Sequence, residues 1–308
     1  RANVGEEWPL VLYYDKIGGS KQWVVGGRIS TGSVLSEMYA KSQLTTGNWA
    51  NVGGTLTESV YAANAASNGA SGKCIRVGGL NQSGYGTSRI DYWNSNSSAN
   101  ATYSGGQIPQ TNDYGAVVSD GNHFFWLGGN SNTSAFWAKS WANVTDNTNM
   151  TTWGTLAYNG WYLDAVTDGT YGKCFLGTGT SYTQYWSLAS QGNCTAGAND
   201  PNNNNQWMRM VQDSTRYITL GSSNVNTYWY ETFASASTAT YSGQLSYAPN
   251  YCGSSDDGTY GIIMGGAVGG SNYGTASRYI NIQSLGSLLS GGNLYYSSQF
   301  VAATSGTA

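Results

Sequence analysis

The feature that most constrains this chain is a short apolar run ending in glycine, which recurs six times along its 308 residues. Cys74-Ile75-Arg76-Val77-Gly78-Gly79, Cys174-Phe175-Leu176-Gly177, Phe124-Phe125-Trp126-Leu127-Gly128-Gly129 and Ile262-Ile263-Met264-Gly265-Gly266 are the clearest copies. Looser ones are Trp23-Val24-Val25-Gly26-Gly27 and Tyr217-Ile218-Thr219-Leu220-Gly221. A period of about fifty residues makes each unit one supersecondary element that must stack on its neighbours to bury its apolar faces.

Each unit reads as a meander of four short strands. The first comprises Pro9–Tyr14, Trp23–Val25, Glu37–Ala40 and Gly53–Leu56; the second, Ser59–Ala62, Cys74–Val77, Ser88–Tyr92 and Ala101–Ile108. The third comprises Tyr114–Val118, Phe124–Leu127, Phe136–Lys139 and Trp153–Leu156. The fourth opens with Trp161–Val166, Cys174–Leu176 and Tyr185–Leu188. Its last strand is expected to be degenerate, because Asn199-Asp200-Pro201 and Asn202–Asn205 are turn formers. The fifth closes with Ala239–Leu245, and the sixth contains Ser277–Asn281 and Gly291–Leu294. Asp120-Gly121, Asp168-Gly169 and Asp257-Gly258 fall between first and second strands, where such pairs are a strong hairpin signal. Helical periodicity is sustained nowhere.

This pattern predicts an all-β fold, a six-bladed β-propeller of four-stranded antiparallel blades, with seven blades as the alternative. One domain, residues 1–308, is expected, with blades near 8–56, 57–108, 109–156, 157–205, 206–245 and 246–294. Residues 295–308 are read as a strand that closes the ring, a strand that displaces the first one, or a lead into a further region.

Composition narrows the function classes. Charged residues are only 9% of the chain, while Gly (43), Tyr (24) and Trp (12) abound, which suits a folded, strand-rich protein and not a disordered one. A net charge of −3 offers no basic footprint for nucleic acid. No apolar run approaches the roughly 18 residues of a membrane-spanning helix, so membrane insertion is not expected. The start at Arg1 in place of Met suggests a processed or truncated product.

The chemistry-bearing residues are few. Cys74 and Cys174 are read as occupying one place in two units, which favours buried free thiols; if a disulfide forms, Cys174–Cys194 is the candidate. With Cys252 completing the four cysteines, no CxxC and a single histidine, His123, no metal site or cofactor is expected. His123 adjoins a turn and has no nucleophile-elbow sequence for a partner, so no catalytic residue is assigned. Asp164 and Glu231 are isolated acids in aromatic strands. They are read first as hydrogen-bonded groups that link blades, and second as a pair for glycoside hydrolysis. Asn-x-Ser/Thr triplets at Asn81, Asn96, Asn100, Asn132, Asn143, Asn149 and Asn193 are expected by chance in a chain this rich in Asn, Ser and Thr.

The double glycine ending the second strand, a tyrosine some twelve residues later and an aromatic beyond it resemble the kelch repeat. Gly26-Gly27, Tyr39 and Trp49 show it, as do Gly78-Gly79, Tyr92 and Tyr103. Low charge, openings such as Asp257-Gly258-Thr259-Tyr260-Gly261 and aromatic-x-Gly-x-Leu fourth strands are similar to kelch-like arrays of phage virion proteins. That resemblance implies a non-enzymatic structural or adhesion module on a virion surface, in a tail fibre, adhesin or decoration. It would be part of a multi-copy assembly or a homo-oligomer, with other virion subunits and a host-surface glycan as partners. A secreted multivalent carbohydrate-binding lectin and, behind it, a polysaccharide-degrading enzyme are the alternatives. The copper site of galactose-oxidase relatives needs more than one histidine and is excluded.

Ligand contacts are expected from the loops between second and third strands, which open on one face of the ring. These loops hold Arg28, Gln82, Tyr85, Asn130, Asn132, Tyr182, Asn224, Asn226, Asn272 and Tyr273. Tyrosine supplies rigid contact area, and Asn and Gln supply adaptable hydrogen bonds. The same residues are also what ordinary polar turns require.

Overall fold

A computed structural model of the chain describes residues 21–29, 32–42, 48–69, 72–129, 134–160, 164–175, 182–199, 208–213, 215–222, 225–233, 240–245, 252–266, 274–299 and 302–306. They form six antiparallel sheets, and in blades 2 to 5 the strands are hydrogen-bonded in chain order from the inner to the outer one. Blade 2 is Asn64–Ser67, Lys73–Val77, Thr87–Asn94 and Thr102–Asn112; blade 3 is Ala116–Ser119, His123–Leu127, Ala135–Ser140 and Thr151–Thr155. Blade 4 is Asp164–Thr167, Tyr171–Phe175, Tyr182–Ser187 and Thr195–Asn199; blade 5 is Arg209–Gln212, Arg216–Ser222, Val225–Thr232 and Thr240–Gln244. Blade 6 is Gly253–Asp256, Tyr260–Met264, Gly274–Asn281 and Leu289–Gln299, with the two-residue strand Arg28–Ile29 added at its edge. The first strands touch one another in a closed ring, which makes the molecule a six-bladed β-propeller.

The ring is closed by its last strand. Blade 1 consists of Lys21–Val25, Glu37–Ser42 and Ala50–Thr55, and its inner strand is Ala302–Gly306, antiparallel to Lys21–Val25. The expected first strand, Pro9–Tyr14, lies outside the described residues. Ala302–Gly306 thus takes the innermost place in blade 1, which the sequence reading gave to Pro9–Tyr14, and joins the two ends of the ring by a ladder of backbone hydrogen bonds. Lys41 reinforces this junction by donating its Nζ to the carbonyl of Gly291 in blade 6.

Three readings of the sequence need correction. Ser59–Ala62 is not a strand but the linker into blade 2, in which Val60 is fully buried and Ala62 takes a φ of 54° to turn the chain into Asn64–Ser67. Blade 4 has a fourth strand, Thr195–Asn199, paired with Tyr182–Ser187 as in the other blades; the asparagine run lies outside the described residues. Cys74 and Cys174 are not equivalent: Cys74 lies across from Ser67, three residues before the strand's end, whereas Cys174 lies across from Ala165, one residue before it. The reason is turn length. Asn68 N–H closes on the Lys73 carbonyl in blade 2, but Asp168 N–H closes on Tyr171 in blade 4, two residues sooner.

The repeat rests on two local devices. At the first turn of a blade, Asp120, Asp168, Asp213 and Asp257 each accept through Oδ1 the N–H groups two and three residues on, at 2.5–2.8 Å. After the second strand, Gly26-Gly27, Gly78-Gly79 and Gly128-Gly129 hold φ pairs of 64/106°, 61/106° and 64/107°, which only glycine adopts without strain. A Cβ at Gly26 would stand 2.6 Å from the Val60 carbonyl oxygen. That proximity lets the Gly27 N–H donate to the same oxygen at 2.7 Å, tying the blade to the linker that leaves it.

At the rim, neighbouring blades are joined by a clasp of two hydrogen bonds. An asparagine just before the fourth strand accepts, through Oδ1, an N–H from the fourth strand of the preceding blade. The next residue's N–H then donates to that same residue's carbonyl. Asn100 and Ala101 grip Thr55 (3.1 and 2.8 Å), Asn149 and Met150 grip Gln107 (3.0 and 2.9 Å), Asn193 and Cys194 grip Thr155 (3.1 and 2.8 Å), and Asn48 and Trp49 grip Asn293 (3.1 and 2.9 Å). The gripped residue is the middle of Gly54-Thr55-Leu56, Gly106-Gln107-Ile108, Gly154-Thr155-Leu156 and Gly292-Asn293-Leu294, whose last residue is buried in every case. At Gly54 a Cβ would lie 2.6 Å from the Ala99 carbonyl oxygen. At Gly106 and Gly154 it would strike the carbonyls of Thr148 and Gly192. Three of the Asn-x-Thr triplets are therefore clasps.

Asn149→Ala should cost about 1 kcal/mol in urea unfolding, the worth of one hydrogen bond. Gly154→Val should cost more, about 1–3 kcal/mol or beyond, through overpacking. Asn143→Ala, at an exposed position outside any clasp, should stay within about 0.5 kcal/mol of the parent.

Candidate functional site

The inner strands of blades 2 to 6 line a central cavity of about 70 Å³. Side chains tie these strands around the ring. Thr167 Oγ1 donates to the Ser119 carbonyl at 2.8 Å, Met210 N–H to Asp164 at 2.7 Å and Gln212 N–H to Asp256 at 3.2 Å. Asn64 donates to the Gly115 carbonyl, and Ser255 bonds Gln22 of blade 1. Asp164 also accepts the Ser254 hydroxyl at 2.9 Å, bridging blade 4 to blade 6 across the cavity. Burial pushes its carboxyl above the ordinary range, opposed by the Arg209 charge and by these hydrogen bonds.

Glu231 is elsewhere, on the third strand of blade 5, where it accepts the hydroxyl of its cross-strand neighbour Tyr217. His123 lies 3.3 Å from Asp120 in the turn and packs 5.2 Å from the Trp153 ring. Cys194 is a free thiol, so the Cys174–Cys194 bridge does not form. Burial pushes the Cys194 thiol up to about 12 and that of Cys252 to about 11, which leaves neither ionised near neutrality.

The face bearing the loops between second and third strands holds a different kind of site. The loops of blades 1 and 2 share one backbone. Leu35 N–H bonds Gly27 and Thr87 N–H bonds Gly79, both at 2.8 Å; Ile29 N–H bonds Ser33 and Asn81 N–H bonds Tyr85, both at 3.0 Å; Gly32 N–H bonds Ile29 and Gly84 N–H bonds Asn81, both at 2.9 Å. Arg28 of one loop thus corresponds to Leu80 of the other, and Ser33 to Tyr85. The backbones match while the chemistry differs.

Gln82 staples the two loops together, accepting the Val34 N–H at 2.7 Å and donating to the Gly32 carbonyl at 3.1 Å. Asn81 fixes the second turn through Oδ1, which accepts the N–H groups of Ser83 (2.9 Å) and Tyr85 (3.1 Å). Tyr85 stands 72% exposed at its tip. Beneath lies Tyr61 of the linker, with the Arg28 guanidinium over its ring at 5.6 Å.

Of the residues expected to bind, the structure brings Arg28, Gln82 and Tyr85 together. Asn226 is apart, in blade 5, and is engaged with the Leu245 carbonyl at 3.2 Å. Tyr182 opens the third strand of blade 4. Asn130, Asn132, Asn224, Asn272 and Tyr273 lie outside the described residues. Tyr61 was missed because its apolar surroundings read as a strand.

The chain matches no family model and no curated protein sequence. The geometry therefore has to carry the functional reading.

Asp113 occupies, in the linker into blade 3, the place Tyr61 holds in the linker into blade 2, each three residues before the inner strand. It is buried, its Oδ2 has no hydrogen-bond partner, and burial raises its pKa from 3.8 to about 6. The folded state then binds a proton more readily than the unfolded one. The contribution of Asp113 to stability is most favourable below pH ~4 and declines as pH rises to ~6. Asp113→Asn should be more stable than the parent at pH 7, by up to about 3 kcal/mol, with the difference vanishing near pH 4 in pH-resolved thermal melts.

Proposed function

We propose that this chain is a kelch-like propeller serving as a non-enzymatic adhesion module of a phage virion surface, in a tail fibre, adhesin or decoration, that binds a host-surface glycan through its second-to-third-strand loops. The observation that carries the reading is Tyr85, an aromatic ring held 72% exposed on a turn whose backbone is fixed at both ends. An exposed aromatic loses contact with water on binding, and here the turn adds little ordering cost. Gln82 and the Arg28–Tyr61 stack surround it with polar groups, the mixture that suits a sugar's apolar face and hydroxyl rim.

Other features agree. The recurrent double glycine, with near-identical dihedral angles in three blades, supports the kelch-like assignment. A surface with few charges suits close packing of many copies. Asp164, the acid that lines the central cavity, is engaged in holding blades 4, 5 and 6 together.

The test is binding of the purified chain to host-surface glycans, read by glycan array and calorimetry. Tyr85→Ala should weaken binding by at least about tenfold, the effect of losing one stacked aromatic. Tyr171→Ala, 39% exposed at the opposite end of the strands, should leave it unchanged. Equal loss from both variants, or from neither, would remove the loop face as the binding surface. Finding the chain only as a free secreted monomer, absent from any particle, would favour the lectin alternative over the virion module.

A further inference from the structure

We infer that the junction of blades 1 and 2 recognises a saccharide bearing a carboxylate, with Tyr85 stacked against the sugar ring and Arg28 on the acid group. The inference rests on the saccharide reading above and goes beyond it by fixing the charge of the ligand.

The two loops have one shape and different chemistry. At the position where blade 2 has Leu80, blade 1 has Arg28; where blade 1 has Ser33, blade 2 has Tyr85. Each loop supplies one half of the site, and the Gln82 staple holds the halves in fixed relation. The halves are also close. A Cβ on Gly84, the neighbour of Tyr85, would lie 3.9 Å from the Tyr61 hydroxyl, and one on Gly32 would lie 3.8 Å from an Arg28 terminal nitrogen. The turn that presents Tyr85 therefore rests on the same ring over which Arg28 lies.

Arg28 is positioned but not neutralised. Among the described residues no carboxylate lies within ion-pair distance of it, whereas Arg76 faces Asp91 and Glu58, Arg89 faces Glu58, and Arg216 faces Asp213. Its Nε is sealed from solvent without a hydrogen-bond partner. Stacking and burial of the stem fix the planar fork, so a carboxylate meets a donor pair already oriented for two hydrogen bonds. A neutral sugar offers that cation hydroxyl acceptors alone, whereas a carboxylate adds the stronger charge-assisted hydrogen bonds.

The experiment titrates the whole chain calorimetrically with trigalacturonate, a β-linked triglucuronate and sialyllactose, each as the free acid and as its methyl ester. The ester keeps the ring and removes the charge. The expected result is at least about tenfold tighter binding of one or more acids than of the matching ester, with that preference weakened by raising salt. Arg28→Gln should abolish the preference while keeping the weak ester-type binding, Arg28→Lys should restore part of it, and Tyr85→Ala should weaken acid and ester alike. Unchanged melting temperatures would show that these variants fold. Equal binding of acid and ester with Arg28→Gln silent would overturn the acidic ligand and leave the saccharide reading standing. Failure of every acid and every ester to bind would overturn both.

Discussion

The close approach of one blade's outer strand to the turn of the next is the constraint on which the rest of this propeller depends. Radial sheets diverge towards the rim, so side-chain packing alone leaves their outer strands unsupported. Here the gap is closed by an asparagine side-chain oxygen and a backbone N–H that grip the N–H and carbonyl of one residue of the preceding blade, as at Asn100 and Thr55 or Asn193 and Thr155. The grip works only if the residue before the gripped one has no side chain, which is why Gly54, Gly106 and Gly154 stand where they do. These glycines are thus a packing requirement, and the leucine or isoleucine two residues on anchors the same strand in the core. A ring built this way gains most of its stability between nearest neighbours, so the terminal strand Ala302–Gly306 matters beyond its length: it turns an open array into a closed one.

With the backbone fixed by glycines, aspartate turns and clasps, the loops are free to vary in chemistry without varying in shape. Blades 1 and 2 show this directly. The residues that follow their double glycines repeat the same hydrogen bonds, yet one loop carries a guanidinium and the other an aromatic ring. Neither loop would make a site alone. Their adjacency around the ring, set by the clasp between Asn100 and Thr55 and by the linker through Tyr61, turns two halves into one surface.

The parts legible in the sequence were those that encode a local conformational demand. Gly78-Gly79 and Asp120-Gly121 announce positive φ wherever they occur, and the second strands and first turns followed from them. The inner strands were harder. Ala116–Ser119 and Asp164–Thr167 are buried along their whole length, so no alternation marks them, and the apolar linker residue Val60 mimics a strand equally well. The shift between Cys74 and Cys174 was hidden by a two-residue difference in turn length that leaves a matching Gly-Lys-Cys in both units. Three of the clasp asparagines were visible but resembled chance glycosylation triplets, because their partners lie 38 to 45 residues upstream. Arg28, Gln82 and Tyr85 could each be named as loop residues. Their meeting could not, since it depends on the register between two blades.

One further asymmetry ties the fold to the site. In blade 4 the incoming linker is held by a neutral group, Gln184, which accepts the N–H groups of Ala157 and Tyr158 and donates to the Tyr158 carbonyl. At the same register in blade 2 stands Asp91, which accepts the Thr57 N–H at 3.1 Å and belongs to a buried ionic network. Arg76 pairs with Asp91 at 2.6 Å and with Glu58 at 3.0 Å, donates to the Gly78 carbonyl, and leaves Glu58 to accept the Thr87 hydroxyl. Buried ion pairs stabilise little relative to well-packed neutral groups, so stability is a weak reason for the exchange. What the network adds is definition. It locks Thr57 and Glu58, and hence the linker running to Tyr61, simultaneously to the second and third strands of blade 2 and to its double glycine. Tyr61 is the ring over which Arg28 lies and against which the Tyr85 turn rests. This buried ionic network therefore lies directly behind the surface that presents the exposed Tyr85 and Arg28, which among the described residues has no carboxylate within ion-pair distance.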